Sequence, residues 1–182
     1  MSNFISKIRE RIALYKLDKQ LKKEPRNKRL HNLKTASTAG IIYDATEEAN
    51  HQIVKELIKE LNEENITSEA LGFIDKKKRD DNYIGDNTYS FACRGDFSFF
   101  YAIKQESIQT FIDKPFNLLF VLVNEQPFAV DYLGQLSKAE FKAGKAGLDN
   151  DLYDFMIELK ADKGISELKK QIIHYLKLLN NN

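Results

Sequence analysis

A small set of charged and polar side chains could do chemistry in this sequence, because each follows an apolar run of strand length. Asp44, Cys93, Arg94 and Asn124 stand at or just after the ends of such runs. The carboxyl ends of parallel strands meet at one edge of a sheet, where α/β proteins bind their ligands. Two lysines of a later run would lie near that edge and attract an anionic substrate. The predicted ligand-binding set is Asp44, Cys93, Arg94, Asn124, Lys142 and Lys145.

The catalytic potential of this set is limited. The guanidinium of Arg94 could lower the pKa of the Cys93 thiol and make it a nucleophile. The alternative is that Cys93 fills the core, as single buried cysteines commonly do, and no histidine is close to it in the sequence. A lone Asp44 has a structural alternative too, since a carboxylate at a strand end can cap the next helix. We assign no catalytic residue and favour a protein that is not an enzyme.

The sequence contains no phosphate-binding loop and no metal-ligand spacing. Its eight glycines never form Gly-x-Gly-x-x-Gly after the first strand, where Asp44-Ala45-Thr46 stands instead. The run 142–147 is rich in lysine and glycine but lacks Walker spacing. The three histidines lie in a linker and in two separate predicted helices, and the chain has one cysteine. We therefore predict no metal and no cofactor.

The elements that must position these residues alternate between strand-like and helix-like segments. Strands are predicted at 40–43, 70–74, 89–93, 116–123, 141–144 and 152–159, and helices at 46–65, 106–113, 127–139 and 165–179. This alternation predicts a single Rossmann-like α/β domain over residues 39–182, with a mainly parallel sheet flanked by helices. Thr46 is the predicted N-cap of the first of these helices. The most hydrophobic run, 116–123, should lie at the sheet centre beside 40–43.

Charge is strongly segregated along the chain. The first 36 residues carry eleven Lys/Arg and three Asp/Glu, a net charge of +8, whereas the remaining 146 residues carry a net charge of −7. Residues 4–23 have apolar side chains at helical spacing, and Pro25 ends that helix. The predicted apolar stripe consists of Ile8, Ile12, Leu17 and Leu21. Residues 1–38 thus form a basic amphipathic helix and a polar linker that precede the domain.

A basic helix of this kind predicts an anionic partner, with RNA or the ribosome first and an anionic membrane surface second. A protein partner is a further possibility. The predicted contact residues are Lys7, Arg9, Arg11, Lys16, Lys19, Lys22, Lys23, Arg26, Lys28 and Arg29. The alternative is that the stripe packs on the domain and the cations are merely solvated or face acidic residues of the first body helix, namely Glu56, Glu60, Glu63 and Glu64. We favour a partly detached helix, because the segment 24–38 is long and polar.

The remaining features bear on location. A single cysteine excludes an intramolecular disulfide and fits a reducing compartment. The first residues lack the apolar run of a signal peptide, and no stretch has the length of a membrane span. We therefore expect a cytoplasmic protein, with peripheral attachment to a membrane as one option.

Several segments resemble a family of small, uncharacterised bacterial proteins over most of the chain. They are Gly40-Ile41-Ile42-Tyr43-Asp44, residues 116–121 and the run Leu136-Ser137-Lys138-Ala139-Glu140-Phe141-Lys142-Ala143-Gly144, together with the basic N-terminal helix. This resemblance implies no assigned activity. Residues 116–144 are also distantly similar to the N-terminal half of heptosyltransferase-type glycosyltransferases. That likeness implies, as the alternative function, a small enzyme or degenerate glycosyltransferase-like domain that binds an anionic ligand at the carboxyl ends of the strands.

Overall fold

Helices and strands alternate along the chain, as the apolar runs predict. The computed structural model describes residues 2–125, 127–146, 153–160 and 163–179. The helices are α1 (Ser2–Lys23), α2 (Glu48–Glu63), α3 (Glu106–Asp113), α4 (Phe128–Leu136) and α5 (Ile165–Leu178), with a short 3₁₀ turn at Arg94–Asp96. The strands are β1 (Thr38–Asp44), β2 (Thr67–Ile74), β3 (Tyr89–Cys93), β4 (Leu118–Leu122), β5 (Phe141–Lys145) and β6 (Phe155–Ile157).

The strands of the described chain form one six-stranded parallel sheet in the order β3-β2-β1-β4-β5-β6. The register places Ile41 of β1 opposite Phe120 of β4. The predicted central position of β4 beside β1 is therefore confirmed. Both strands are buried on their two faces, which explains why their sequences are continuously apolar rather than alternating. This strand order is that of dinucleotide-binding folds, and the prediction of a Rossmann-like α/β fold is confirmed.

Two apolar layers enclose the sheet. One contains α2 and α5, with Leu57 and Ile172 among its buried side chains. The other contains α1, α3 and α4, with Ile108 and Leu133 among its buried side chains. The helix after β1 and the helix after β4 thus lie on opposite faces, and the strand order reverses between these two adjacent parallel strands. Ligands of such folds bind at the carboxyl edge near that switch.

The predicted N-cap of α2 was wrong by one residue. Thr46 is not its N-cap: Glu47 occupies that position and makes no side-chain cap hydrogen bond. Thr46 is instead used between loops, because its hydroxyl accepts a hydrogen bond from the backbone N–H of Asp75. The preference of threonine for N-cap positions reflects only neighbouring residues, so it could not predict a hydrogen bond to a residue in another loop. The predicted strand 152–159 is shortened to β6, and its first residue lies outside the described residues.

The preference for a partly detached N-terminal helix was wrong. Ala13 and Leu17 of α1 are buried in the layer that contains α3 and α4. The segment after α1 is also attached to the body. Arg26 donates to the backbone oxygens of Ala139 and Glu140 and to both carboxylate oxygens of Asp154.

Other contacts hold residues 27–36 against the domain. The backbone N–H of Arg29 donates to the oxygen of Glu140, and the His31 ring lies 2.5 Å from that residue's carboxylate. Leu33 is buried in the layer of α2 and α5. The segment 27–36 is therefore bound to the domain surface and does not form a free linker.

The acidic residues proposed to receive the cations of α1 lie elsewhere. Glu56 and Glu60 belong to α2, on the opposite face of the sheet, and their partner is the buried Lys169 of α5 at 3.8 and 2.7 Å. Glu64, just after α2, lies 3.6 Å from Lys177. The charge match predicted between α1 and α2 was therefore wrong, since the two helices cover different faces.

Candidate functional site

A cleft of about 470 Å³ opens at the carboxyl edge of the sheet, between the N-terminal half of α1 and the start of α4. We call it the α1–α4 cleft. Its polar lining consists of Ser6, Arg9, Glu10, Asp75 and Arg94. Its apolar lining consists of Phe73, Phe97, Tyr101, Pro127, Phe128 and Ala129. The cleft therefore lies at the edge where a ligand is expected, with α1 forming one wall.

The strand register places an ion pair at this edge. Ile74 of β2 lies opposite Cys93 of β3, so the next residues, Asp75 and Arg94, are neighbours. The guanidinium of Arg94 donates from Nε and Nη2 to the two oxygens of Asp75, both at 2.5 Å. Hydrogen bonding to Asp75 raises the pKa of Arg94 above its ordinary value. This bidentate geometry fixes the plane of the guanidinium at the cleft wall.

A second guanidinium comes from α1. Arg9 lies over two rings, 4.6 Å from the centroid of Phe99 and 5.0 Å from that of Tyr101. Its Nε donates to the backbone oxygen of Phe99 at 2.7 Å. Rings and a carbonyl orient the cation without neutralising it. Arg9 has no carboxylate within ion-pair distance in the described part of the chain.

Tyr101 adopts a left-handed backbone conformation, with φ of 60°. Such a conformation is unfavourable for a bulky aromatic residue. It lets the ring pack 4.4 Å from that of Phe128 while also contacting Arg9. The backbone strain is thus located at the wall of the cleft.

The predicted ligand-binding residues lie at several places, and Arg94 alone lines the cleft. Asp44 accepts the backbone N–H of Thr46 at 2.8 Å and so closes a local turn. Cys93 is buried, as the alternative of a core-filling cysteine predicts, and burial raises its thiol pKa, the opposite of the lowering that Arg94 could cause. The physical reason is that Arg94 is turned to Asp75 and does not face the sulfur.

The other members of the predicted set follow β4 and β5. Lys145 donates to the backbone oxygen of Asn124 at 2.9 Å, which brings these two together. Lys142, in contrast, has a side chain in the core that donates to the carbonyls of Gly134 and Gln135 at the last turn of α4. Only 2% of its surface is exposed, and this burial lowers its pKa to about 7. It holds the end of a helix and does not face the carboxyl edge.

Sequence reasoning missed a second pocket, of about 310 Å³, on the α2 side of the sheet edge. The imidazole of His51 lines this pocket, and its Nδ1 lies 2.7 Å from the hydroxyl of the buried Tyr43. Burial, and secondarily Lys55, lower the pKa of His51. The carboxylates of Glu48 and Asp80 stand at the pocket lining. No spacing in the sequence links a strand tyrosine to a helix histidine, and no metal-binding cluster is found among the described residues.

The face of α1 that points away from the domain is apolar at its beginning and basic along its length. Residues separated by three or four positions share one side of a helix, and this side carries Phe4, Ile8, Arg11, Tyr15, Lys19 and Lys22. Phe4 is 71% exposed and Ile8 42%. The exposed rings of Phe99 and Phe100 lie beside it, and Lys16 lies 5.1 Å from the Phe100 ring. We call the following residues the apolar–basic surface: Phe4, Ile5, Lys7, Ile8, Arg11, Tyr15, Lys16, Lys19, Phe99 and Phe100.

Two of the ten cations predicted to meet an anionic partner are used within the protein. Arg9 forms part of the cleft, and Arg26 is bound to Asp154. Lys22 pairs with Asp18 at 2.7 Å and Lys28 lies 3.7 Å from Asp154, but both stay exposed. The other six are exposed. No helix in the described part of the chain is long and apolar enough to cross a bilayer.

The sheet order and the cleft at its carboxyl edge define a Rossmann-like α/β protein with a ligand-sized opening. Residues 9–179 match the model of a family of unknown function, DUF6913, and the chain belongs to that family. The predicted membership of an uncharacterised family is thereby confirmed, whereas the likeness to heptosyltransferases stays a prediction. The comparisons with curated proteins and with solved structures gave no match.

Proposed function

We propose that this protein is a non-catalytic binding protein that attaches to an anionic membrane surface through its apolar–basic surface. The observation that carries the proposal is the two-sided character of α1. Ala13 and Leu17 already dock the helix on the domain. Phe4, Ile5 and Ile8 nevertheless remain exposed on its other sides. Apolar side chains that the domain does not bury are available to contact a partner.

The chemistry of the apolar–basic surface suits a lipid surface better than RNA. Isoleucine has no π face on which a base could stack, so binding to RNA gives no reason to expose Ile5 and Ile8. A bilayer interface takes up aliphatic and aromatic side chains and leaves neighbouring cations among the headgroups. Each Lys or Arg near an anionic leaflet contributes about 1 kcal/mol. The surface offers such cations at Lys7, Arg11, Lys16 and Lys19.

Two features support binding rather than catalysis. Cys93, the side chain considered as a nucleophile, has a raised thiol pKa because it is buried. Lys142, which was proposed to meet an anionic substrate, is instead bonded to helix carbonyls.

Co-sedimentation with vesicles tests the proposal. We expect binding to vesicles that contain phosphatidylglycerol, no binding to pure phosphatidylcholine, and release by added salt. The double variant Lys16→Glu/Lys19→Glu should lose binding. The matched control is Lys55→Glu/Lys59→Glu, which changes net charge equally on two exposed positions of α2, on the other face of the sheet. Equal losses for both variants would mean that overall charge, not this surface, drives attachment.

A second variant separates lipid from RNA. Phe4→Gln/Ile8→Gln keeps every cation and changes two exposed side chains. It should abolish vesicle binding if these residues enter the bilayer. If the wild-type protein instead binds single-stranded RNA but not vesicles, and the double glutamine variant binds that RNA equally well, the partner is RNA and the membrane proposal is wrong.

A further inference from the structure

We infer that the α1–α4 cleft binds a small molecule that carries a phosphate group. The groups that would hold the phosphate are the guanidinium groups of Arg9 and Arg94 and the first backbone N–H groups of α4. This site differs from the apolar–basic surface, which it adjoins at Phe99: Arg9 lines the cleft, whereas Arg11, two positions on, belongs to the outer face of the same helix. The inference does not depend on the proposed membrane attachment.

Arg9 is a cation held in place without a counter-ion. The rings of Phe99 and Tyr101 and the Phe99 carbonyl fix its guanidinium at the cleft wall. No carboxylate in the described part of the chain lies within ion-pair distance of it. A guanidinium that is already ordered loses little entropy when it forms two hydrogen bonds to phosphate oxygens. Asp75 likewise fixes the guanidinium of Arg94 through Nε and Nη2, and Nη1 is not used in that ion pair.

The start of α4 supplies donors on the facing wall. The first N–H groups of a helix have no partner within the helix, and in α4 they belong to Phe128 and Ala129, which line the cleft. The N-cap residue is Pro127, which makes no side-chain cap. Backbone donors at a helix start favour phosphate oxygens. The first turn of α4 also carries a carboxylate, Asp131, but burial raises the pKa of Asp131 to about 7. The carboxylates at the start of α2, Glu47 and Glu48, are exposed.

Two carboxylates, Asp75 and Glu10, also line the cleft and would repel an anionic ligand. Arg94 forms an ion pair with Asp75 and so neutralises its charge. Glu10 accepts a hydrogen bond from Ser6 at 2.8 Å, and no cation is found within ion-pair distance of it among the described residues. Removal of the Glu10 charge should therefore strengthen phosphate binding. The volume of about 470 Å³ exceeds that of phosphate alone, and the rings of Phe97 and Phe128 offer an apolar wall to the rest of the ligand.

The left-handed backbone of Tyr101 places one ring against both Arg9 and Phe128, the two sides of the cleft.

The test is a titration of the full chain with inorganic phosphate and, separately, with phenyl phosphate, followed by backbone amide NMR. We expect saturable shifts at Phe128 and Ala129, and tighter binding of phenyl phosphate. Arg9→Gln should weaken binding about tenfold, the loss expected for one charge-assisted pair. Arg11→Gln removes the same charge from an exposed position two residues away and should leave the affinity unchanged. Glu10→Gln should raise the affinity.

The inference is overturned if Arg9→Gln and Arg11→Gln weaken binding equally, or if the shifted amides lie outside the cleft. Arg94→Lys keeps the charge but not the fork and should also weaken binding. Vesicles that contain phosphatidic acid identify the source of the phosphate. If Arg9→Gln weakens binding to them as it weakens binding to phenyl phosphate, the ligand is a lipid headgroup; if vesicle binding is unchanged, the site takes a phosphate in solution.

Discussion

Replacement of Leu17 by alanine should reveal how strongly α1 is held on the domain. Leu17 is 1% exposed and packs in the same cluster as side chains of α3 and α4. Leu→Ala changes at such positions cost about 2–5 kcal/mol, because transfer free energy is lost and a cavity remains. The matched control is Leu14→Ala in the same helix, where the leucine is 36% exposed. The control should cost about 1 kcal/mol or less.

Two measurements together decide the result. Urea unfolding gives the loss in free energy, and hydrogen exchange gives the protection of the amides from Ala13 to Leu21. If the cost at Leu17 exceeds the docking free energy of α1, the helix detaches first. The loss in global stability then stops at the docking free energy, while exchange in α1 becomes fast.

Equal losses for Leu17→Ala and Leu14→Ala would refute the docked position of α1. So would unprotected α1 amides in the wild-type protein. Either result would restore the detached helix that the polar composition of residues 24–38 suggested.

Two further predictions concern buried ionisable groups. Burial lowers the pKa of Lys142 from 10.5 to about 7, so the folded state binds fewer protons than the unfolded state between these values, and stability should rise with pH across that window. The rise in the free energy of unfolding should be at most about 5 kcal/mol, because the α4 carbonyls favour the cation. Lys142→Met should not show this rise, and urea unfolding at several pH values measures the difference. Cys93 should react with iodoacetamide more slowly than a free cysteine at pH 8, because its thiol pKa is raised; fast alkylation of the folded protein would contradict this.

The strands and helices were predictable because their signals are local. A continuous apolar run such as that of β4 indicates a strand buried on both faces, and the alternation of strands with helices indicates a parallel sheet. Right-handed crossovers determine the face on which each connecting helix lies, but the full strand order was not predicted beyond the pairing of β4 with β1. The docking of α1 was not predictable in this way. The predicted stripe was wrong, because it joins residues on opposite sides of α1: Leu17 is buried against the domain, whereas Ile8 is 42% exposed. The sequence therefore did not indicate which apolar side chains face the domain.

The candidate site was predicted poorly, and the reason is geometric. Strand ends identify which edge of the sheet carries a ligand, and Arg94 was found by that rule. The rule does not show where a side chain points. Lys142 and Cys93 were selected by position, but both side chains are buried. Arg9 was assigned to a partner surface because it belongs to a basic helix, whereas long-range contact with Phe99 and Tyr101 places it in the cleft.

These contacts connect the two proposals physically. The helix that would meet the membrane also supplies one wall of the α1–α4 cleft, and Arg9 is its cation there. The cleft can hold a phosphate as described only while α1 is docked through Leu17. Leu17→Ala, if it detaches α1, should therefore weaken phosphate binding although Leu17 lies outside the cleft. By the reciprocity of linked equilibria, saturating phosphate should then increase the protection of the α1 amides. A detached α1 with unchanged phosphate affinity would show that Arg9 is not part of the site.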